Sequence, residues 1–217
     1  MNAMNGKSDM LISGLVDQLE PVRPYRFRRG MALALAGMGI AGLIVAAVYS
    51  IRPDIVSGQP HAIFLLSSGL FLLLALACAA SVISMASPRV GHRPNGWGWA
   101  LAMAGVLPAS AVILALIEGP SAWQASNPAH GFYCFANAIL LGLVTGALLV
   151  FWLRRGAPTS PEQAGLLTGI AAASAGVFAF SFACPYDALM HIGLWHGLPV
   201  VAGAALGRFA VPPLIRW

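Results

Sequence analysis

The sequence predicts an all-α membrane protein, a six-transmembrane-helix bundle that follows a short cytoplasmic N-terminal amphipathic helix. Apolar residues make up 59% of the 217 positions and charged residues only 9%, whereas about a quarter of the residues in a soluble domain are charged. Six apolar runs also reach about 20 residues, the length of helix that crosses ~30 Å of hydrocarbon. We predict two domains, a cytoplasmic tail over residues 1–30 and a membrane domain over residues 31–217. The predicted spans are residues 31–51, 62–85, 97–117, 131–153, 164–183 and 187–210.

Within the tail, the apolar pattern predicts one short helix that runs from Ser8, a residue type that caps helix starts, to about Glu20. An apolar stripe follows this helix at 3.6-residue spacing and consists of Leu11, Ile12, Leu15, Val16 and Leu19. Pro21 then ends the helix. Because so short a helix is marginal alone in water, we expect its stripe to be buried on a surface. A partner protein and the lipid headgroups both remain open as that surface.

The basic residues predict the orientation of the spans, because short loops rich in Lys and Arg stay in the cytoplasm. Eleven of the twelve fall on one side of the predicted spans, and only Arg52 falls on the other. The eleven are Lys7, Arg23, Arg26, Arg28, Arg29, Arg89, Arg93, Arg154, Arg155, Arg208 and Arg216. We therefore predict that both termini are cytoplasmic. The net charge of +5 is then explained by topology and anionic lipid, and we predict no direct nucleic-acid partner.

Two of the three cysteines are expected at the same outer edge of the bundle. Cys134 opens the fourth span and Cys184 follows the fifth, and these two spans form a hairpin with a short inner loop. The two thiols could therefore meet, and an oxidising compartment would allow a disulfide. Packing as small apolar residues is the alternative interpretation of this pair. Cys78, in the inner half of the second span, is expected to be a core residue.

Further titratable side chains lie close to Cys184 in the sequence. If Pro185 begins the sixth helix, Asp187 and His191 are four residues apart and share one face next to Cys184. Such a cluster suits thiolate tuning or a soft metal, although Asp187 can equally cap the helix start. His196 lies deeper in the same span.

The motifs that would indicate catalysis are missing from the sequence. No CxxC, HExxH, GxSxG or Walker pattern occurs, and these patterns supply nucleophiles, metal pairs or phosphate cradles. The middle of every span also lacks Asp, Glu, Lys and Arg, which ion-coupled transporters place near the bilayer centre. We therefore predict no catalytic residue and no cofactor, and the chain is not expected to be an enzyme.

Small residues recur in the spans at a spacing of four. Gly142 and Gly146 form one such pair, and Gly203 and Gly207 form another. Pairs of this kind let helices approach closely, either within one chain or between two copies. Both uses remain open at this point, and the oligomeric state is not predicted.

Together, these features resemble a known family. Leu11, Ile12 and Leu15 precede Pro21-Val22-x-Pro24 and six helices, with Cys134 in the fourth. The chain then continues as Cys184-Pro185-x-Asp187-x-x-x-His191-x-x-x-Trp195-His196-x-x-Pro199. Over nearly its whole length, the sequence resembles the NrsF-type bacterial membrane anti-sigma factors.

This resemblance implies a bacterial inner-membrane regulator that holds an extracytoplasmic-function sigma factor until a periplasmic signal releases it. The tail residues expected to bind the sigma factor are Leu11, Ile12, Leu15, Leu19 and Pro21. The residues expected to sense a redox or metal signal are Cys134, Cys184, Asp187, His191 and His196. A membrane thiol oxidoreductase or a small transporter is the alternative function, and the missing CxxC and midplane charges count against it. The identity of any metal is not predicted.

Overall fold

The computed structural model describes residues 3–18, 26–87 and 96–216, and every regular element within these ranges is a helix. A π-helix, Ile192–His196, separates the ninth α-helix from the tenth. The α-helices are α1 (Ala3–Asp17), α2 (Phe27–Val48), α3 (Pro53–Val56), α4 (Ala62–Met85), α5 (Gly96–Glu118), α6 (Pro120–Ala125), α7 (Pro128–Arg154), α8 (Pro161–Ser181), α9 (Leu189–His191), α10 (Gly197–Ala210) and α11 (Pro212–Ile215).

Six helices in the described part of the chain are long and apolar enough to span a membrane. They are α2, α4, α5, α7, α8 and the stretch Leu189–Ala210, which combines α9, the π-helix and α10. The predicted all-α membrane bundle of six spans is therefore confirmed. The first span begins at Phe27 rather than at residue 31. The helix includes the arginines that precede the apolar run, whereas the predicted span contained only the apolar run.

The six spans give the bundle two ends. We call the end where α2 begins and α7 and α10 finish the tail end, and the opposite end, where Cys134 and Cys184 lie, the cysteine end. At the tail end, a Cβ added to Gly30 would lie 2.6 Å from the Ile83 side chain and 2.9 Å from the Trp152 ring. The helices α2, α4 and α7 therefore make close contact there.

Helix α8 lies at the centre of the bundle. Of its most apolar 18-residue stretch, 83% is buried, whereas the corresponding value for α5 is 17%. Small residues bring its neighbours close: a Cβ on Gly142 of α7 would lie 2.6 Å from the Ala172 carbonyl oxygen of α8. Gly203 and Gly207 of α10 face Gly169 and Gly165 of α8 in the same way. The paired glycines therefore serve packing within the chain, as the first of the two interpretations predicted.

The tail helix differs from its prediction at the start. It begins at Ala3, so Ser8 lies inside the helix and the prediction that it caps the start is wrong. Ala and Met, which open the helix, have high helix propensity and extend it by one turn and a half. The apolar side chains of the stripe stay open, with exposed fractions of 65% for Leu11, 57% for Ile12 and 58% for Leu15. Leu19 and Pro21 lie outside the described residues.

Candidate functional site: a buried thiol and imidazole cluster

The two cysteines of the cysteine end meet in the core of the bundle. Cys134 lies in the second turn of α7, and Cys184 lies three residues beyond the end of α8. Their Sγ atoms are 3.6 Å apart, both side chains are buried, and both are free thiols. The expectation that the hairpin of α7 and α8 brings the two thiols together is confirmed. Cys78 is buried in α4, far along the chain from this pair.

His191 completes a triangle with the two thiols. Its Nε2 atom lies 3.5 Å from the Cys134 Sγ and 3.5 Å from the Cys184 Sγ. Its Nδ1 atom lies 2.7 Å from the Ser126 carbonyl oxygen. Because a carbonyl oxygen only accepts hydrogen bonds, Nδ1 carries the proton and Nε2 presents its lone pair to the two sulfurs. A backbone carbonyl that fixes the tautomer in this way is typical of histidines that bind metals.

His196 is the fourth member, and the π-helix brings it to the cluster. Two residues five apart on an α-helix point about 140° away from each other. In a π-helix the backbone hydrogen bonds run from i to i+5, so residues five apart lie on one face. His191 and His196 are spaced in this way, and their ring centroids are 5.6 Å apart. The His196 side chain is buried, and its Nε2 has no hydrogen-bond partner among the described residues.

The four side chains form a set that fits a metal ion. One ligand atom from each of Cys134, Cys184, His191 and His196 lies within 4.8 Å of all the others. Two thiolates and two imidazoles match the tetrahedral sites of soft or borderline metals such as Zn²⁺. Metal bonds of ~2.0–2.3 Å place tetrahedral ligands roughly 3.3–3.8 Å apart. The three separations of 3.5–3.6 Å fall in that range.

Asp187 does not join this cluster. The helix begins at Leu189, not at Pro185, so the predicted common face for Asp187 and His191 is absent. Residues 184–188 are irregular instead, and the Asp187 carboxylate pairs with Arg52 across a 2.6 Å contact. Proline favours the first turn of a helix, but here Arg52 holds both the Cys184 carbonyl oxygen and the Asp187 carboxylate in an irregular segment.

Arg52 is a residue of this site that the sequence patterns did not predict. Its side chain is 4% exposed and donates to the Cys184 carbonyl oxygen at 2.9 Å and to both carboxylate oxygens of Asp187. It also pairs with Asp54 at 2.8 Å, and its backbone N–H donates to the Phe182 carbonyl oxygen. Its position in the sequence was a usable signal, because Arg52 is the one basic residue on its side of the predicted spans. A buried charge is costly unless it is paired, so a lone arginine there predicts acidic partners.

The charges around Arg52 stabilise one another. The hydrogen bond from Arg52 holds the pKa of the Asp54 carboxyl well below its ordinary value. In turn, the hydrogen bond to Asp187 is the main cause that raises the pKa of Arg52. Both groups therefore stay charged near neutral pH, and the loop after α2 remains tied to the segment that carries Cys184.

A second contact ties α2 to the same region. The Tyr49 hydroxyl, one residue beyond α2, donates to the Asn137 side-chain oxygen on α7. The Tyr49 ring also meets Phe180 edge to face, with centroids 5.4 Å apart. The cysteine end of α2 is thus joined by a hydrogen bond to α7, which carries Cys134, and by a ring contact to α8, which leads to Cys184.

Next to the cluster, the packing of Trp195 against α7 depends on a glycine. A Cβ on Gly131 would collide with the indole of Trp195, so only glycine lets this buried ring lie against α7. His130 lies beside Tyr186, with ring centroids 4.8 Å apart, and 6.2 Å from the His191 ring. These side chains therefore lie beside the cluster at the cysteine end of the bundle.

Comparison with known sequences places this architecture in a family. The sequence model of the family NrsF, described as "Negative regulator of sigma F", matches residues 15–217. The chain belongs to the NrsF family. The matched part contains Arg52 and all four residues of the thiol and imidazole cluster, whereas Leu11 and Ile12 precede it.

Two relatives extend the NrsF match over almost the whole chain. The "Anti-sigma-F factor NrsF" of Caulobacter vibrioides (strain NA1000 / CB15N) is 29% identical over 202 residues, which cover 91% of this chain and 92% of that protein. The "Probable anti-sigma-F factor NrsF" of Azospira oryzae (strain ATCC BAA-33 / DSM 13638 / PS) is 25% identical over 218 residues, or 97% of this chain and 100% of that protein. No solved structure matches the chain.

Proposed function

We propose that this chain is a membrane-bound anti-sigma factor of the bacterial inner membrane. It sequesters an extracytoplasmic-function sigma factor through its cytoplasmic N-terminal segment and releases it on a periplasmic redox or metal stress signal. The observation that carries the proposal is its similarity, over more than nine-tenths of its length, to two proteins named as anti-sigma-F factors. In this orientation both termini are cytoplasmic and the cysteine end faces the periplasm.

The tail helix supports the binding half of the proposal. Leu11, Ile12 and Leu15 lie on one side of α1 and are more than half exposed, and an unpartnered apolar stripe is the surface that helix-in-groove recognition requires. Leu19 and Pro21 continue this segment in the sequence. Burial of the stripe on a sigma factor stabilises the helix and denies that surface of the sigma factor to RNA polymerase.

The tail is tested with the full-length chain and two aspartate substitutions. Leu15→Asp places a charge in the stripe, and we expect a loss of roughly 100-fold or more in sigma affinity, because burying an unpaired charge costs several kcal/mol. Ser13→Asp adds the same charge on the opposite face and should leave binding within about twofold. Copurification of the sigma factor and a sigma-dependent reporter measure both effects. Normal repression by Leu15→Asp at unchanged protein level would show that α1 is not the docking element.

The thiol and imidazole cluster supports the sensing half. A soft metal ion can be held by the thiolates of Cys134 and Cys184 and by Nε2 of His191, with His196 as the fourth ligand, and binding releases the two thiol protons. An oxidant that accepts two electrons could instead join the same two sulfurs, with loss of the same two protons. The position of His196 favours the metal, because one of its ring nitrogens lies within 4.8 Å of both sulfurs and of a His191 nitrogen, whereas a disulfide would use neither imidazole.

Arg52 offers a route from this cluster to the tail. A bound metal would fix the Cys184 sulfur relative to the other three ligands, and any shift of the Cys184 segment would reach Arg52, which holds its carbonyl oxygen. Arg52 lies four residues beyond α2, and α2 leads back along the chain to the tail. Helix shifts of one or two ångströms act as switches where packed interfaces have two discrete arrangements. Asp187, predicted as a sensing residue, instead belongs to this connection, because its carboxylate binds Arg52.

Calorimetric titration of the purified full-length chain with Zn²⁺ and Cd²⁺ tests the sensing site. We expect Cys184→Ser and His196→Asn each to weaken binding by about tenfold or more, since each removes one of four ligands. Cys78→Ser, a buried thiol outside the cluster, should leave affinity unchanged. In cells, the Cys134→Ser, Cys184→Ser double variant should lose metal and oxidant induction. Induction that survives in this variant would end the thiol-sensing proposal without touching the tail result.

A further inference from the structure

An apolar groove opens on the outside of the bundle in the half nearer the tail end. Its volume is about 510 Å³, within the range of sites that bind small molecules. Helices α7 and α10 form its walls, and α8 forms its floor through residues such as Ala172. Because the lining includes the exposed Ala147, the groove faces the hydrocarbon of the bilayer rather than the interior of the protein.

The length of the groove matches one lipid chain. Along α7 its lining runs from Ile139 to Arg154, which corresponds to about 22 Å of helix at ~1.5 Å per residue. One leaflet contributes roughly 15 Å of hydrocarbon, half of ~30 Å, and the headgroup layer lies beyond it. The groove therefore extends from near the bilayer centre to the level of the headgroups.

A free cation lies at the headgroup end of the groove. Arg154 lines the groove, is exposed, and has no acidic partner among the described residues. Its neighbours are engaged: Arg208 pairs with Glu162 at 3.0 Å, and Arg155 stacks over the Phe151 ring at 4.1 Å. The positive charge of Arg154 is therefore available to an anion held at the mouth of the groove.

We propose that this groove is a binding site for an anionic phospholipid. One acyl chain lies along α8 between α7 and α10, and the phosphate pairs with the Arg154 guanidinium, which suits phosphate geometry. A second copy of the chain fits less well, because in the same membrane orientation it brings its own arginines to the same depth, where like charges repel. This site is independent of the thiol and imidazole cluster and goes beyond the proposed function.

Native mass spectrometry of the full-length chain, titrated with dioleoyl phosphatidylglycerol or dioleoyl phosphatidylcholine, tests the site. We expect phosphatidylglycerol to bind the native chain about fivefold more tightly than phosphatidylcholine, the effect of one arginine near an anionic headgroup. Arg154→Gln should abolish that preference. Arg155→Gln removes the same charge one residue away and should keep it.

The acyl chain is tested separately by filling the groove. Ala147→Phe narrows the groove and should weaken binding of both lipids at least fivefold, whereas Ala205→Phe adds the same ring at an exposed position of α10 outside the lining and should not. Equal affinity for the two lipids in the native chain, or a preference that survives Arg154→Gln, would overturn the proposal. A dimer that Ala147→Phe dissociates would assign the groove to a second copy and also overturn it.

Discussion

At the scale of single residues, Arg52 shows how a buried charge can hold a site in place. Its guanidinium is satisfied by the Asp54 and Asp187 carboxylates and by the Cys184 carbonyl oxygen. A buried ion pair adds little net stability, but removal of one partner leaves the other charge uncompensated. The value of this arrangement is therefore geometric, since it fixes the backbone of Cys184 relative to the end of α2.

Arg52→Gln tests this role. We expect a loss of about 3 kcal/mol in stability, the lower end of the cost of breaking a buried pair, because the Asp187 side chain keeps 20% exposure. Metal affinity should change less than tenfold, since no ligand is removed, whereas induction of the sigma-dependent reporter by metal should be lost. Thermal unfolding in detergent, metal titration and the reporter measure the three effects.

Arg52→Lys is the matched control for charge. A lysine keeps the positive charge but cannot hold two carboxylates and a carbonyl oxygen with one ammonium group as the planar guanidinium does. We expect its stability and its reporter response to lie between those of the native chain and Arg52→Gln. If Arg52→Gln keeps both stability and induction, the connection through Arg52 is wrong.

At the scale of elements, close approach of helix backbones shapes the bundle around α8. A Cβ on Gly169 would collide with the Gly203 carbonyl oxygen, so α8 and α10 touch through their backbones. The π-helix depends on the same closeness: a Cβ on Gly197, just after it, would lie 2.7 Å from Pro108 of α5. Packing against α5 therefore holds the segment that presents His191 and His196.

Gly169→Ala should destabilise the bundle, because α8 and α10 would have to separate. Overpacking of this kind costs about 1–3 kcal/mol. Gly39→Ala is the control: Gly39 is an exposed helical glycine of α2 with nothing within 4 Å of an added Cβ, so alanine should be neutral or stabilise by up to ~1 kcal/mol. Thermal unfolding of both variants in the same detergent measures the difference. Equal unfolding temperatures would contradict the backbone contact.

At the scale of the whole molecule, the thiol and imidazole cluster and the apolar tail helix belong to opposite ends of the bundle. The buried thiols and imidazoles lie at the cysteine end, and the exposed tail helix precedes α2 at the other end. Rearrangement of the helices is the connection between these ends that the sequence favours, because the middle of the spans carries no Asp, Glu, Lys or Arg. In the proposed function, the signal therefore crosses by movement of packed helices rather than by transport of an ion.

The orientation of this arrangement is open to a direct test. Alkaline phosphatase fused after Trp123 or Tyr186 should be active, because that enzyme needs an oxidising compartment for its disulfides. Fusions after Arg93 or Gly156 should be inactive, as expected for the side rich in Lys and Arg. The inverse pattern would place both cluster cysteines in a reducing cytoplasm and remove the periplasmic sensing proposal.

The features that can be predicted from the sequence alone are those that depend on local composition and on chain connectivity. Six spans follow from the length and hydropathy of six runs, since each segment must satisfy its own backbone hydrogen bonds in lipid. The meeting of Cys134 and Cys184 follows from a helical hairpin. Span ends follow hydropathy less closely: the first helix begins at Phe27, because arginines near the surface extend a helix without adding hydropathy.

The composition of the site depends instead on contacts that form only in the folded bundle. His196 joins His191 only because a π-helix replaces an α-helix in a segment packed against α5, and no local pattern in the sequence predicts that change. Asp187 leaves the cluster because Arg52, 135 residues away in the chain, offers its carboxylate a stronger partner. Both outcomes depend on contacts between residues that are distant in the sequence. These contacts form only after the helices have packed together, so local sequence patterns do not predict them.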